Sequence, residues 1–378
     1  MERRSFLSRA SVGAGVGAAL VAAPAITKAA LPAVRWRATS AFPAALDTIF
    51  GGAVANAKRI SDATGGRFQI TVAPAGEIVP MPGIVDALAG GVVECAQTPA
   101  YFFIGQDPTF AFGTAIPFGM NFRQMNAWWF HGGGEALFNE WLRPRGMQYI
   151  IAGNTGAQMG GWFRREIRTL ADVRGLRFRI AGLGGQVWAA AGAVPTLIPA
   201  GEIYSALERG TIDAAEFVGP HDDERLGFHR VARFYYHPAW WEGGASLGWL
   251  VNSRAWEALP AEYRDVFTAA AHEANANMMA NYDARNAAAL RRLIAGGTQV
   301  RTFPRPVTQA FWEHSQRILA EIDAANASFR RLHEHHTAFQ RETVGWMRVN
   351  EHSFDSLMAD LLRPPRPAAG GGQQRRPG

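Results

Sequence analysis

The sequence predicts an α/β protein built as two similar lobes, and three observations carry that expectation. Short apolar runs alternate with helical segments from Leu31 onward, the pattern of strands joined by crossover helices. Residues 84–94 align with 203–213 at an offset of 119, each stretch a helix, a glycine suited to positive φ, then a strand. The chain of 378 residues, 48% hydrophobic and 19% charged, is long and apolar enough for two domains of about 150 residues each.

In order along the chain, residues 34–39 read as a strand and 46–64 as a helix that Gly65-Gly66 ends. Strands are expected at 68–73 and 92–96, with a short helix at 84–89 between them. Further strands fall at 147–152 and 176–180, and intervening helices imply parallel sheet. In the carboxyl third, Tyr263, Phe267, Ala270, Ala274, Met278 and Tyr282 recur every three or four residues, which predicts one long helix over 261–295. A strand at 299–303 follows, and 307–362 is mostly helical. The last segment, 363–378, is rich in Pro and Gly and is expected to be disordered.

Charge and cysteine content remove several classes of function. The net charge is +6, yet residues 1–30 contribute +3 and residues 363–378 contribute +4, which leaves the body at −1. The phosphate-neutralising excess that nucleic acid binding requires is therefore missing from the body. Cys95 is the single cysteine, so a disulfide scaffold, a cysteine-built zinc module and an iron–sulfur protein are all excluded. Residues 1–30 read as an export signal, with the twin-arginine pattern Arg3-Arg4-Ser5-Phe6-Leu7 ahead of a Gly/Ala/Val run from Ser11 to Ala25. That run is too short for the roughly 20 residues that span a bilayer. Cleavage is expected between about residues 25 and 31, with a soluble mature protein in the periplasm.

Four blocks carry residues suited to a small-molecule site. Gly153-Asn154-Thr155-Gly156-Ala157-Gln158-Met159-Gly160-Gly161-Trp162-Phe163 follows the strand at 147–152 and offers the uncharged amides of Asn154 and Gln158 on a glycine-rich turn. Arg177-Phe178-Arg179-Ile180-Ala181-Gly182-Leu183-Gly184-Gly185 runs from a strand into a helix start, where a guanidinium and backbone N–H groups together suit a carboxylate. A solvated strand face is the alternative for the two arginines. A dinucleotide loop is not, because Val187 stands where the third glycine of GxGxxG belongs. In Asp213-Ala214-Ala215-Glu216-Phe217-Val218-Gly219-Pro220 the Glu216 carboxylate follows apolar residues and needs a partner such as Arg179 or a cation. Trp240-Trp241-Glu242-Gly243-Gly244 sets an acid among aromatics, either as the wall of a cleft or as a core pair with an exposed Glu. His333, Glu334, His335 and His336 lack the H-E-x-x-H spacing and read as a surface histidine cluster.

These four blocks, in this order behind an export signal, resemble the extracytoplasmic solute-binding proteins of TRAP (tripartite ATP-independent periplasmic) transporters. The likeness runs from about residue 34 to 346 and is nearest to the branch that binds 2-oxo acids and similar monocarboxylates. The resemblance implies a two-lobed fold like that of type II periplasmic binding proteins, with lobes joined by long helices and a long C-terminal helical segment. On that plan residues 31–152 form lobe I, completed by about 245–285. Residues 153–244 form lobe II, completed by about 286–306, and 307–362 are C-terminal helices that serve a homodimer. The resemblance further implies that Arg179 anchors the ligand carboxylate, with Tyr101, Asn154, Gln158, Phe217 and Glu242 around the ligand. It places a bridging cation on Gln158, Glu216, the Phe217 carbonyl and Glu242; the branch often has Trp where Phe217 stands. An all-oxygen shell suits Na+ or Ca2+. The implied partners are a small carboxylate and TRAP membrane permease subunits, and the chain is not expected to be an enzyme. A twin-arginine-exported lyase or hydrolase with Glu242 as its base, or a ligand-sensing subunit, are the competing readings.

Overall fold

The computed structural model describes residues 31–363. The twin-arginine pattern at residues 3–7, its apolar run and the segment after Arg363 lie outside the described residues. The described strands form two sheets. The first has the order β2-β1-β3-β10-β4, built from Phe68–Ala73, Val34–Ser40, Cys95–Thr98, Ser246–Asn252 and Met147–Asn154. The second has the order β11-β9-β5-β8-β6-β7, from Gln299–Thr302, Phe234–His237, Gly161–Phe163, Ala214–Ala215, Arg177–Arg179 and Val194–Thr196.

Both sheets are mixed, which corrects the expectation of parallel sheet. Strand β10 runs antiparallel to β3 and β4, and β5 runs antiparallel to β8 and β9. The physical reason is that the chain returns from the second sheet at Ser246 and inserts a long apolar strand into the middle of the first. The seven residues of β10 run Ser-Leu-Gly-Trp-Leu-Val-Asn, buried at all but the last. Burial on both faces removes the alternation that marks a strand in sequence. Strand β3 starts at Cys95, later than expected, because the Glu94 carboxylate accepts the Arg37 N–H and takes the place of a ladder bond.

The internal repeat is real in backbone terms. After the helix Ile84–Ala89, Gly91 has φ +69°, and the Val92 N–H bonds the Ala87 carbonyl. After the helix Ala200–Glu208, Gly210 has φ +68°, and the Thr211 N–H bonds the Ala206 carbonyl. The same αL turn closes both helices and feeds a strand of each sheet.

The helix Ala261–Ala295 forms as its spacing predicts, with Tyr263, Phe267, Ala270, Met278 and Tyr282 buried against the body. The helices Arg305–Ala325, Ala327–Val349 and Glu351–Leu361 follow. Among the described residues no helix is long and apolar enough to cross a membrane. His336 corrects the surface-cluster expectation. It is buried beside Phe112 and Trp128, and burial pushes its pKa down to about 3. His335 accepts the Trp128 indole N–H, and His333 pairs with Asp323. Position 336 lies on the helix face turned to the core, which the polar look of the tetrapeptide hides.

Candidate functional site

A small, partly open cavity of about 20 Å³ lies between the two sheets. From the side of the first sheet come Phe42, Ile49, Pro99, Tyr101, Phe102 and Leu247. The side of the second sheet supplies Thr155, Gln158, Arg179, Phe217 and Val218. A larger open groove between the helices Ile49–Ala63 and Ala261–Ala295 has mixed charges on its rim but no comparable convergence of buried polar groups.

Arg179 ends β6, just before the helix Gly182–Ala190. The adjacent arginine meets a different fate: Arg177 is exposed and forks onto Asp213, whereas Arg179 is 2% exposed. Its Nη1 donates at 2.6 Å to both the Glu216 carboxylate and the Glu216 carbonyl, and its Nε donates at 3.2 Å to the Ile198 carbonyl. None of these bonds engages Nη2. Glu216 follows β8, which lies beside β6 in the sheet, so the sheet register itself brings the pair together. The Ala181 N–H also donates to Glu216 Oε1, at 3.0 Å. Tyr101 is held against the start of the same helix, because Gly182 has φ +64° and a Cβ there would lie 2.6 Å from the Tyr101 ring.

Gln158, Glu242 and the Phe217 carbonyl form an unusual cluster. One end of the Gln158 amide stands 2.9 Å from Glu242 Oε1 and 3.0 Å from the Phe217 carbonyl oxygen: turned NH2-inward it donates to both, and turned oxygen-inward it joins them as a third acceptor. Oε2 of Glu216 and Oε2 of Glu242 are both buried without a hydrogen-bond partner. Burial, with Glu216 close by, pushes the Glu242 carboxyl well above the usual carboxylate range, while Tyr101 and Arg179 pull the other way. Burial likewise raises Glu216, against the attraction of Arg179. Orphaned anionic oxygens in a dry site are costly unless a cation lies among them. The donors are all oxygen, two carboxylates, an amide and a carbonyl, so this set fits a hard cation such as Na+ or Ca2+.

The site residues expected from sequence are placed unevenly. Tyr101, Gln158, Arg179 and Phe217 border the cavity, and Glu216 and Glu242 lie behind them, joined through Arg179 and Gln158. Asn154 does not border it. Its oxygen accepts the Gly156 N–H and its amide donates to Ser246, so it braces the turn that carries Gln158. Neither reading of Trp240-Trp241-Glu242 survives whole. The tryptophans pack into an aromatic core with Trp188 and Phe311, yet Glu242 is buried rather than exposed. Sequence reasoning gave no role to Thr155, Phe42, Ile49, Phe102 or Leu247. Thr155 lay inside a quoted motif, and Phe102 beside Tyr101; Phe42 and Ile49 left no local signal.

Two lobes around a buried arginine and an oxygen-lined pocket define a class of extracytoplasmic solute-binding protein. Residues 39–326 match the model of DctP, the bacterial extracellular solute-binding protein family 7, and the chain belongs to that family. It is thus a solute-binding protein of the TRAP transporter type and not an enzyme. The chain is 45% identical over 360 residues to a monocarboxylate 2-oxoacid-binding periplasmic protein of Nostoc sp., covering 94% of this chain and 99% of that one. It is similar to a TRAP transporter solute-binding protein of Bordetella bronchiseptica, solved as a mixed-occupancy dimer with copurified calcium and picolinate. That match has TM-score 0.86 and 45% identity, covering 87% of this chain and 98% of that one. A TRAP periplasmic solute-binding protein of Pseudoalteromonas atlantica with bound sodium and pyruvate matches at TM-score 0.83 and 34% identity, covering 85% and 98%.

Proposed function

We propose that this chain captures a small 2-oxo or 2-hydroxy monocarboxylate together with Na+ or Ca2+ and presents it to TRAP membrane permease subunits in the periplasm. The observation that carries the reading is the set of buried oxygens around Gln158, Glu216, Phe217 and Glu242, beside a buried arginine with Nη2 outside its internal bonds. In this reading Arg179 anchors the ligand carboxylate through Nη2 while Nη1 stays on Glu216. A bound cation offsets the charge of the two glutamates and polarises the ligand oxygens. Phe42, Ile49, Phe102 and Leu247 supply an apolar wall that favours a short hydrocarbon tail over a second carboxylate. Because the ligand would touch both lobes, its binding energy favours the closed arrangement.

The domain plan belongs to the same proposal: residues 31–152 with about 245–285 as lobe I, and 153–244 with about 286–306 as lobe II. Export through the twin-arginine signal at residues 1–30 and a homodimer through residues 307–362 complete it. The dimer is supported by Trp346, Val349, Phe354, Leu357 and Leu361, all exposed on the last two helices.

Calorimetry of pyruvate with the purified chain tests the function. Binding in sodium or calcium buffer, its loss when both ions are removed, and recovery of unchanged pyruvate are the expected results. Equal affinity without either ion contradicts the cation, and conversion of the acid contradicts a binding role.

A further inference from the structure

From the hydrogen bonds of its side chain we infer that Thr155 is a positioning residue: when a cation is bound, its hydroxyl holds the Gln158 NH2 at 2.9 Å and so keeps the amide oxygen turned toward Glu242 and Phe217. The inference deepens the proposed cation site and rests on it. A side-chain amide can be turned by half a rotation, exchanging its oxygen and nitrogen with little change in shape. With the NH2 turned inward, Gln158 would donate to Glu242 Oε1 and to the Phe217 carbonyl, and no lone pair of its own would remain for a cation. With the oxygen inward, three acceptors converge, an arrangement that a cation among them satisfies. Thr155 can partner either state, but only in the oxygen-inward state does its hydroxyl accept from the amide and leave the amide oxygen free for a cation.

Thr155 is buried, 1% exposed, and its hydroxyl makes three bonds. It donates to the Gly156 carbonyl at 3.1 Å, and it accepts the Ala245 N–H at 3.1 Å and Gln158 Nε2 at 2.9 Å. One donor and two acceptors are all that a hydroxyl has. The inward-NH2 state would require Thr155 to donate to the Gln158 oxygen, and so to give up Gly156. Oxygen-inward, the hydroxyl keeps all three of its bonds, and a bound cation takes the place of the two that the amide gives up to Glu242 and Phe217. The bond to Ala245 also ties the turn bearing Gln158 to the segment three residues beyond Glu242, so one hydroxyl sets two of the oxygen donors.

The test uses the full chain in sodium-free and calcium-free buffer with pyruvate at fixed concentration. Calcium chloride and, separately, sodium chloride are titrated in and followed by tryptophan fluorescence. T155V, which keeps the shape but not the hydroxyl, is expected to weaken the apparent cation affinity by about 10- to 100-fold, the usual effect of removing a partner that orients a metal ligand. T155S is expected to stay within about threefold of wild type, which a packing role of the lost methyl would not allow. In a Q158M background T155V is expected to add nothing, because the amide it orients is gone. Should T155V not fold, T155A in the same two backgrounds replaces it. Wild-type cation affinity in T155V, an equal loss in T155S, or an undiminished loss on top of Q158M overturns the positioning role alone. A wild-type chain indifferent to both ions overturns the cation site and this inference with it.

Discussion

Replacing Arg179 with Met keeps the length of the side chain and removes the charge, and the consequences follow from its bonds. The guanidinium makes two 2.6 Å contacts with Glu216 and one with the Ile198 carbonyl in a site closed to solvent. Truncating one partner of a buried, hydrogen-bonded charge pair costs about 2–5 kcal/mol of binding. At about 1.4 kcal/mol per decade, pyruvate affinity should fall roughly 30- to 4,000-fold. Folding suffers separately, because Glu216 loses its cationic partner; about 3–5 kcal/mol is typical, and protonation of Glu216 limits it. Calorimetry with calcium present reads the first effect, and urea unfolding without ligand reads the second. Arg179→Lys should fall between, since an ammonium lacks the planar fork that serves Glu216 and a ligand at once. A folded Arg179→Met variant that binds pyruvate within about threefold of wild type would refute the anchor.

Three further predictions address other parts of the molecule. Burial pushes the Asp223 carboxyl up to about 7, although Tyr235, Trp162 and the Val218 N–H all donate to it. The folded chain therefore holds that proton more tightly than the unfolded one, and stability present at pH 4 is lost as pH rises toward 7. The gap of about three pH units sets an upper bound of about 4 kcal/mol. Asp223→Asn should flatten that slope in urea unfolding from pH 4 to 8, and an unchanged slope would contradict it. Asp47 reaches His221, Arg225 and Arg285, and because the carboxylate is 41% exposed each pair contributes under about 1 kcal/mol. Asp47→Asn should weaken pyruvate binding only a few-fold, in a way that added salt reproduces in wild type. Trp346→Glu with Phe354→Glu should weaken the proposed dimer at least about 100-fold in sedimentation, since two buried aromatic side chains contribute about 3–6 kcal/mol together.

Much of this architecture was legible because local chemistry and tertiary position agree. The helix Ala261–Ala295, the αL glycines of the repeat and the strand that presents Arg179 all follow from spacing and residue type. What stayed hidden depends on the chain coming back. Strand β10 has no alternation because both its faces are buried, and its insertion between β3 and β4 turns a parallel sheet into a mixed one. Arg177 and Arg179 look alike in sequence, and only the neighbouring strand β8 gives one of them a buried Glu216. Glu242 was visible as an acid among aromatics. That its tryptophans face the core while its carboxylate turns to Gln158 is a matter of packing, not of pattern. Asp222 and Asp223 lie in the first turn of the helix Pro220–Leu226, where acids are usually solvated, yet both are buried and bonded to tyrosines.

A crystal structure of the chain grown with calcium and pyruvate, phased so that the ion is seen by its anomalous signal, measures the central claim most directly. Calcium is expected at about 2.3–2.6 Å from Gln158 Oε1, Glu216, the Phe217 carbonyl and Glu242, with the pyruvate carboxylate on Arg179. Calcium seated instead at Asp47, His221 and Asp222, or pyruvate bound away from Arg179, would contradict it.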